Sequence, residues 1–288
     1  MIRVPQHWED YELIDCTRGE RLERWGSVTL IRPDPQVLWQ GGRISPLWNK
    51  ADARYVRSST GGGAWEYSGS PLKPWAIKYR ELTFNVKPMG FKHTGVFPEQ
   101  AVNWDLVSGI IRKAGRKLNV LNLFAYTGAA TVSALSAGAN VTHVDAAKGM
   151  VTWAKENAQA SGVAQSPVRW IVDDCAKFVN REIKRGNRYD IIIMDPPSYG
   201  RGPNAEVWHI EDEIYKLVNL CTQVLTDTPE AVLINSYTAG LSPGAMAYIL
   251  AGCMNKRFGG SVNADEIGLR VTSTGLVLPC GSTAVWVK

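Results

Sequence analysis

With 288 residues, 45% of them hydrophobic, and a formal net charge of +5, the chain has the composition of an ordinary globular protein, able to bury one large core and a smaller appendage. No apolar run approaches the ~18 residues of a membrane-spanning helix, and the opening MIRVPQHWEDYELID lacks the apolar centre of a signal peptide. Five cysteines without a C-x-x-C pair and four dispersed histidines suggest neither a disulfide frame nor a metal site, so a cytoplasmic protein without metal is expected.

The basic excess sits early in the chain. Between Trp39 and Lys92 nine basic residues (Arg43, Lys50, Arg54, Arg57, Lys73, Lys78, Arg80, Lys87, Lys92) meet three acids, and nine aromatics interleave with them. That mixture suits phosphates and splayed bases, and equally a small β core with solvated charges around it. Turn signals such as Arg32-Pro33-Asp34-Pro35, Gly41-Gly42 and Gly61-Gly62-Gly63, with no helical period, predict a β-rich module over residues 1–92.

From residue 93 to 288 a second domain is expected. PEQAVNWDLVSGIIRKAG places Val102, Leu106, Ile110 and Ile111 at helical spacing, and apolar strands then alternate with amphipathic helices: LNVLNLF, NVTHVD, VRWIV, YDIIIMD and EAVLINSY each precede one. Such alternation predicts an α/β fold with a mostly parallel sheet covered on both faces, whose ligands bind at the C-terminal strand ends. The final GLVLPCGSTAVWVK, with Pro-Cys-Gly-Ser between two apolar runs, predicts a terminal hairpin that adds an antiparallel strand.

Four strand tips carry candidate chemistry. The first, Asn122-Leu123-Phe124-Ala125-Tyr126-Thr127-Gly128, turns straight into a helix at a single glycine, so backbone approaches a ligand there without the G-x-G-x-x-G that cradles a pyrophosphate. Asp145, at the second tip, stands where a carboxylate takes ribose hydroxyls, with a helix cap as the competing role. At the third tip, Asp173 or Asp174 would accept from an exocyclic amine while the N–H that follows, that of Cys175, meets a purine ring; capping competes here too, and the choice of aspartate stays open.

The fourth tip reads Asp195-Pro196-Pro197-Ser198-Tyr199. Two prolines fix φ twice and remove two donors, which makes a rigid exit. An acid before them and an aromatic after them suit methylation of a planar nitrogen: Asp195 and the Pro196 carbonyl accept its N–H groups and Tyr199 stacks on the ring. A proline stop after a buried strand explains the prolines but neither flanking residue.

Together NLFAYTG, the Asp145 tip, DDCAKF and DPPSY resemble the Rossmann-like class I S-adenosylmethionine-dependent methyltransferases, and more narrowly the bacterial large-subunit ribosomal RNA methyltransferases that include the cytosine-C5 enzymes. Lys92-His93-Thr94-Gly95-Val96-Phe97-Pro98-Glu99-Gln100 is similar to the K-T-G-x-x-x-D-Q segment of that family, which helps enclose the cofactor. The resemblance spans roughly residues 80 to 240 and implies contact of S-adenosylmethionine with Phe124, Tyr126, Gly128, Asp145, Asp174 and Asp195, with Thr94 and Gln100 nearby.

One departure bears on the substrate. The cytosine-C5 relatives carry a nucleophilic Cys in an S-C-S motif after the fifth strand, where this chain has Asn235-Ser236-Tyr237-Thr238. A phenol of pKa ~10 supplies little nucleophile at neutral pH. The expected reaction is therefore methylation of a base nitrogen in ribosomal RNA. Competing functions are methylation of a protein side chain or small metabolite, a cofactor-binding protein without catalysis, and a Rossmann oxidoreductase, the last weakened by the missing glycine fingerprint.

Overall fold

The computed structural model describes residues 1–58, 62–201 and 207–288; Gly61 of the triple-glycine turn lies outside them. The chain divides into two compact units: residues 2–102 with 267–280, and residue 1 with 103–266 and 281–288.

The first unit is β-rich. It holds β1 (Ile2–Arg3), β2 (Tyr11–Thr17), β3 (Glu20–Trp25), β4 (Val28–Pro33), β5 (Ala53–Arg57), β6 (Gly63–Tyr67), β7 (Trp75–Tyr79) and β8 (Leu82–Val86). Strands β2 to β6 form one sheet in sequence order, antiparallel except for the β4–β5 pair, and β7 pairs antiparallel with β8. Four of the nine interleaved aromatics, Trp48, Tyr55, Tyr79 and Phe84, are core residues here, whereas Trp39 and Phe91 are exposed. Packing thus accounts for the first four.

The core of this unit also buries charge. Glu23 accepts from Arg32 through Nε (2.5 Å) and Nη2 (2.7 Å) and from the Tyr11 hydroxyl (2.7 Å), and Arg21 lies between Glu23 and Asp34. Burial alone would raise the Glu23 carboxyl, but the two guanidiniums and the hydroxyl overcome it and hold it at about 2.

The second unit alternates helices and strands: α1 (Ala101–Lys113), whose first two residues count with the β-rich unit, β9 (Asn119–Leu123), α2 (Ala129–Ser136), β10 (Asn140–Asp145), α3 (Lys148–Ala160), β11 (Val168–Val172), α4 (Cys175–Arg185), β12 (Ile191–Met194), β13 (Tyr199–Arg201), β14 (Val207–His209), α5 (Ile210–Thr222), β15 (Ala231–Ser236), α6 (Pro243–Phe258), β16 (Ser261–Arg270) and β17 (Val277–Val287), of which residues 267–270 and 277–280 count with the β-rich unit. The sheet runs β16-β17-β15-β12-β9-β10-β11. Strands β15, β12, β9, β10 and β11 are mutually parallel and β17 is antiparallel to β15.

Period-2 alternation explains the layers. Leu121, Leu123, Ile192, Met194, Val232 and Ile234 point to one face, against Phe178 and Val179 of α4, Ile214 and Leu217 of α5 and Met246 and Leu250 of α6. Val120, Ile191, Ile193 and Leu233 point to the other, against Val107 and Ile111 of α1 and Leu135 of α2. Each such side chain contributes roughly 1.5–3 kcal/mol by leaving water.

The terminal hairpin differs from expectation. Pro279 to Ser282 do not turn; residues 277–287 are one continuous strand, and the turn lies at 271–276, after β16. The physical reason is Gly281, which serves close approach. A Cβ there would stand 2.9 Å from the Ser236 carbonyl oxygen and 3.0 Å from Tyr237 Cδ1.

Candidate active site

The exit of β9 is held in an unusual backbone shape. Phe124 (φ 56°) and Tyr126 (φ 50°) are left-handed non-glycine residues, each at a conformational cost of about 1–2 kcal/mol. Neighbouring strand tips hold them there. The Asp145 Oδ2 accepts from the Tyr126 N–H at 2.8 Å, the Val144 carbonyl from Ala125 at 3.1 Å, and the Cys175 sulfur from Phe124 at 3.3 Å. Gly128 (φ 82°) closes the turn, and its lack of a side chain admits α3: a Cβ would lie 2.7 Å from the Ala154 Cβ. The glycine therefore answers to helix packing as well as to the turn.

Asp145 is half-buried at the tip of β10, with Oδ1 accepting from the Ala147 N–H at 2.8 Å. Burial raises its pKa against these two N–H groups. Each of its oxygens keeps a second lone pair, so the brace leaves capacity for an outside donor. At the β11 tip the two acids separate: Asp173 pairs with Arg181 of α4, and Asp174 is the exposed N-cap of α4, accepting from the Lys177 N–H at 2.8 Å. Cys175 is buried at the start of that helix.

Beyond β12, Asp195 is half-buried, Pro196 buried and Tyr199 48% exposed. The exit is tied on its far side. The Pro197 carbonyl accepts from Trp208 Nε1 (2.6 Å), the Ser198 carbonyl from the Ile210 N–H (3.1 Å), and the Ser198 hydroxyl from that of Thr238 (2.6 Å). Tyr199 opens β13 and meets its cross-strand partner His209 edge to face at 5.2 Å. Trp208 also lies 6.1 Å from Phe124, joining the first and fourth strand tips.

Sequence reading missed the polar anchor of β15. Asn103 Nδ2 donates to Asn235 Oδ1 and Thr283 Oγ1, both at 2.9 Å, and Thr283 donates to Asn235 at 2.7 Å, all three buried. A signal was present: Asn103 falls at i−4 and i−8 from Val107 and Ile111, on the apolar stripe of α1. For Trp208 no signal existed.

Thr94 and Gln100 belong to the β-rich unit, where the 87–94 loop is closed by the Lys87 N–H donating to the Thr94 carbonyl at 3.1 Å. Both side chains are buried, and the Thr94 hydroxyl has no hydrogen-bond partner. Leaving such a group dry costs about 1–3 kcal/mol.

These features fit S-adenosylmethionine: backbone held open at β9, an acid with spare acceptor capacity at β10, and no glycine-rich cradle for a pyrophosphate. A cleft of about 490 Å³ lined by Asn119, Asn140, Arg169 and Tyr189 is large enough for a ligand, but it lies at the N-terminal ends of the strands, opposite the tips described here.

Residues 43–226 match the family model described as S-adenosylmethionine-dependent methyltransferase. A solved S-adenosylmethionine-dependent methyltransferase from Agrobacterium tumefaciens is 35% identical, with a TM-score of 0.93 over all of this chain and 93% of that one. A Streptococcus mutans protein, solved as a candidate methyltransferase of the same kind, shares the fold at 18% identity and TM-score 0.75, over 98% of this chain and 76% of its own. The ribosomal RNA large subunit methyltransferase K/L of Shewanella frigidimarina is 31% identical over 155 residues, 53% of this chain; the chain spans about a fifth (21%) of that relative's length. Fold, strand-tip chemistry and kinship agree: the protein belongs to the S-adenosylmethionine-dependent methyltransferases.

Proposed function

We propose that the enzyme methylates a base nitrogen in ribosomal RNA, in the cytoplasm, with Asp195, Pro196 and Tyr199 at the acceptor. Phe124, Tyr126, Gly128, Asp145, Asp174, Cys175 and Asp195 would hold S-adenosylmethionine, and Thr94 and Gln100 join them on the strength of their motif. The observation that supports the acceptor assignment is the β12 exit: two consecutive prolines fix the backbone directly after Asp195, and the Pro197 and Ser198 carbonyls are tied by Trp208 and Ile210, so the exit is held in one shape. The RNA assignment draws on the K/L relatives and on the exposed Lys50, Arg57, Lys73, Lys78, Arg80 and Lys87.

Bound S-adenosylmethionine supplies a methyl group already activated on a sulfonium, so the chain's task is proximity and orientation. Asp195 takes a hydrogen bond from the acceptor N–H and turns the nitrogen lone pair toward the methyl carbon. With the methyl group passed to the acceptor nitrogen, Asp195 would take up the nitrogen's proton and release it to water.

The cysteines favour this over a covalent C5 route. Burial raises the thiol pKa of all five, Cys221 and Cys16 to about 12, and neither Cys175, beneath Phe124, nor buried Cys280 is poised as a thiolate. Nucleoside mass spectrometry of ribosomal RNA from cells with and without the gene tests the reading: one N-methylated nucleoside should vanish with the gene. RNA containing 5-fluorocytosine should form no adduct that survives denaturation; an adduct abolished by one Cys→Ala change would refute it. Asp195→Ala should lower kcat at least about 100-fold with cofactor affinity nearly unchanged.

A further inference from the structure

Resting on the reading that the acceptor base lies at the β12 exit, we propose that Tyr237 is a second aromatic platform for that base, on the β15 side, and sets the enzyme's affinity for its RNA. The placement follows from register. Strands β12 and β15 are parallel with Met194 beside Ile234, so counting onward brings Pro197 beside Tyr237 and Ser198 beside Thr238. The 2.6 Å hydrogen bond from the Thr238 hydroxyl to the Ser198 hydroxyl shows that the two tips do run on together past the sheet.

On its other flank Tyr237 is met by β17. Ser236 pairs with Ser282, and the next residue, Gly281, lies so close to the Tyr237 ring that a Cβ would stand 3.0 and 3.1 Å from Cδ1 and Cε1. Glycine at 281 thus lets the ring seat against the strand. The backbone just before Tyr237 is fixed too, since Asn235 is locked by Asn103 and Thr283 and the Ser236 hydroxyl accepts from the Thr238 N–H at 3.1 Å. The ring is half-buried, so it is held and still presents surface. An immobilised aromatic level with Pro197 has little conformational freedom to lose when a planar base stacks on it, which is the property that makes aromatic side chains base platforms.

This differs from a packing role in what it makes measurable. Stacking needs a π face and no hydroxyl, so Tyr237→Phe should leave the KM for RNA within about two-fold of wild type, while Tyr237→Leu, of similar bulk, should raise it about ten-fold or more. Full-length enzyme would be assayed by methyl transfer to ribosomal RNA purified from cells lacking the gene. Calorimetric affinity for S-adenosylhomocysteine and the melting temperature would be measured on each variant, and both should stay near wild type. A Leu variant with unchanged KM for RNA, or one whose lost activity tracks lost cofactor affinity or stability, overturns the platform role. If Tyr237→Leu is silent while Asp195→Ala abolishes transfer, only the Tyr237 assignment falls. If wild-type enzyme transfers no methyl to that RNA, the RNA reading falls and the assignment with it.

Discussion

The two units bury their polar groups in different arrangements. In the methyltransferase unit they are dispersed: Asp145 and Cys175 take the backbone N–H groups of Phe124, Tyr126 and Ala147 at strand tips, while His143 in β10, Asn235 with Asn103 and Thr283, and Glu182 in α4 are buried at separate points. In the β-rich unit charge goes to the centre: Arg21, Glu23, Arg32 and Asp34 are all buried together. Charge in the first unit is therefore partly architecture. Of its nine basic residues between 39 and 92, Arg43 and Arg54 pair with Glu20, and Lys92 is tucked against the Pro33 carbonyl with its pKa lowered by burial to about 8. The other six, Lys50, Arg57, Lys73, Lys78, Arg80 and Lys87, are exposed.

The sharpest way to break this comparison is to remove the centre of the buried cluster. Glu23→Gln removes the buried carboxylate from Arg32 and leaves Arg21 with Asp34 alone, and should destabilise the β-rich unit by about 3–5 kcal/mol, read as faster peptide-resolved hydrogen exchange there than in residues 103–266. Equal acceleration in both would mean the units unfold as one.

Next in size is Gly128→Ala in the other unit. Overpacking against Ala154 and a side chain at positive φ should together cost about 2–4 kcal/mol, again by denaturation. Asp145→Ala should weaken S-adenosylmethionine binding by ~1–3 kcal/mol in calorimetry, since it removes both an acceptor and the brace on Tyr126.

Acid should act on both units in two stages. Burial depresses His143 from 6.5 to about 3 and His93 from 6.5 to about 4, so each is neutral in the fold and would charge on unfolding. Their contribution is complete above pH ~6.5 and declines as pH falls toward the folded values, each at up to about 1.4 kcal/mol per pH unit. Glu23 and Glu182, both held at about 2 against an ordinary 4.5, add a second decline only below pH ~4.5. For Glu182 burial works the other way and is outweighed by hydrogen bonds from Arg169, Tyr189, Arg185 and Asn187. His143→Gln should flatten the first decline in the methyltransferase unit and leave that of the β-rich unit in place. Smallest is Arg54→Ala: its half-exposed pair with Glu20 should be worth under about 1 kcal/mol.

How much of this the sequence disclosed follows from which forces act locally. Continuous apolar runs such as Ile191-Ile192-Ile193-Met194 announce strands buried on both faces, and the structure buries all four. Strand β16, reading SVNADEIGLR, mixes acids and apolar residues without clean alternation and gave no strand signal. Its partner β17 was misread because a glycine chosen for close approach looks the same as one chosen for a turn. The strand-tip positions of Asp145 and of the Asp195-to-Tyr199 run are legible because each directly follows the apolar residues of a strand. The left-handed Phe124 and Tyr126 are not, since bulky residues adopt that conformation only when acceptors distant in sequence hold them. The buried ions were invisible for a similar reason: composition counts a charge but not its partner.

Residues 267–280 cluster with residues 2–102, so the β-rich unit is discontinuous in sequence. Val271 bridges Leu13, and the buried carboxylate of Asp15 takes the Ser273 hydroxyl at 3.0 Å, a contact 258 residues apart along the chain. Closing a loop of that length from a disordered chain carries an entropic cost of roughly 5 kcal/mol. High contact order of this kind slows folding. Until residues 271–273 arrive, Asp15 lacks the Ser273 donor and β2 lacks its neighbour at Leu13, so this unit completes its folding only after nearly the whole methyltransferase sequence has been made.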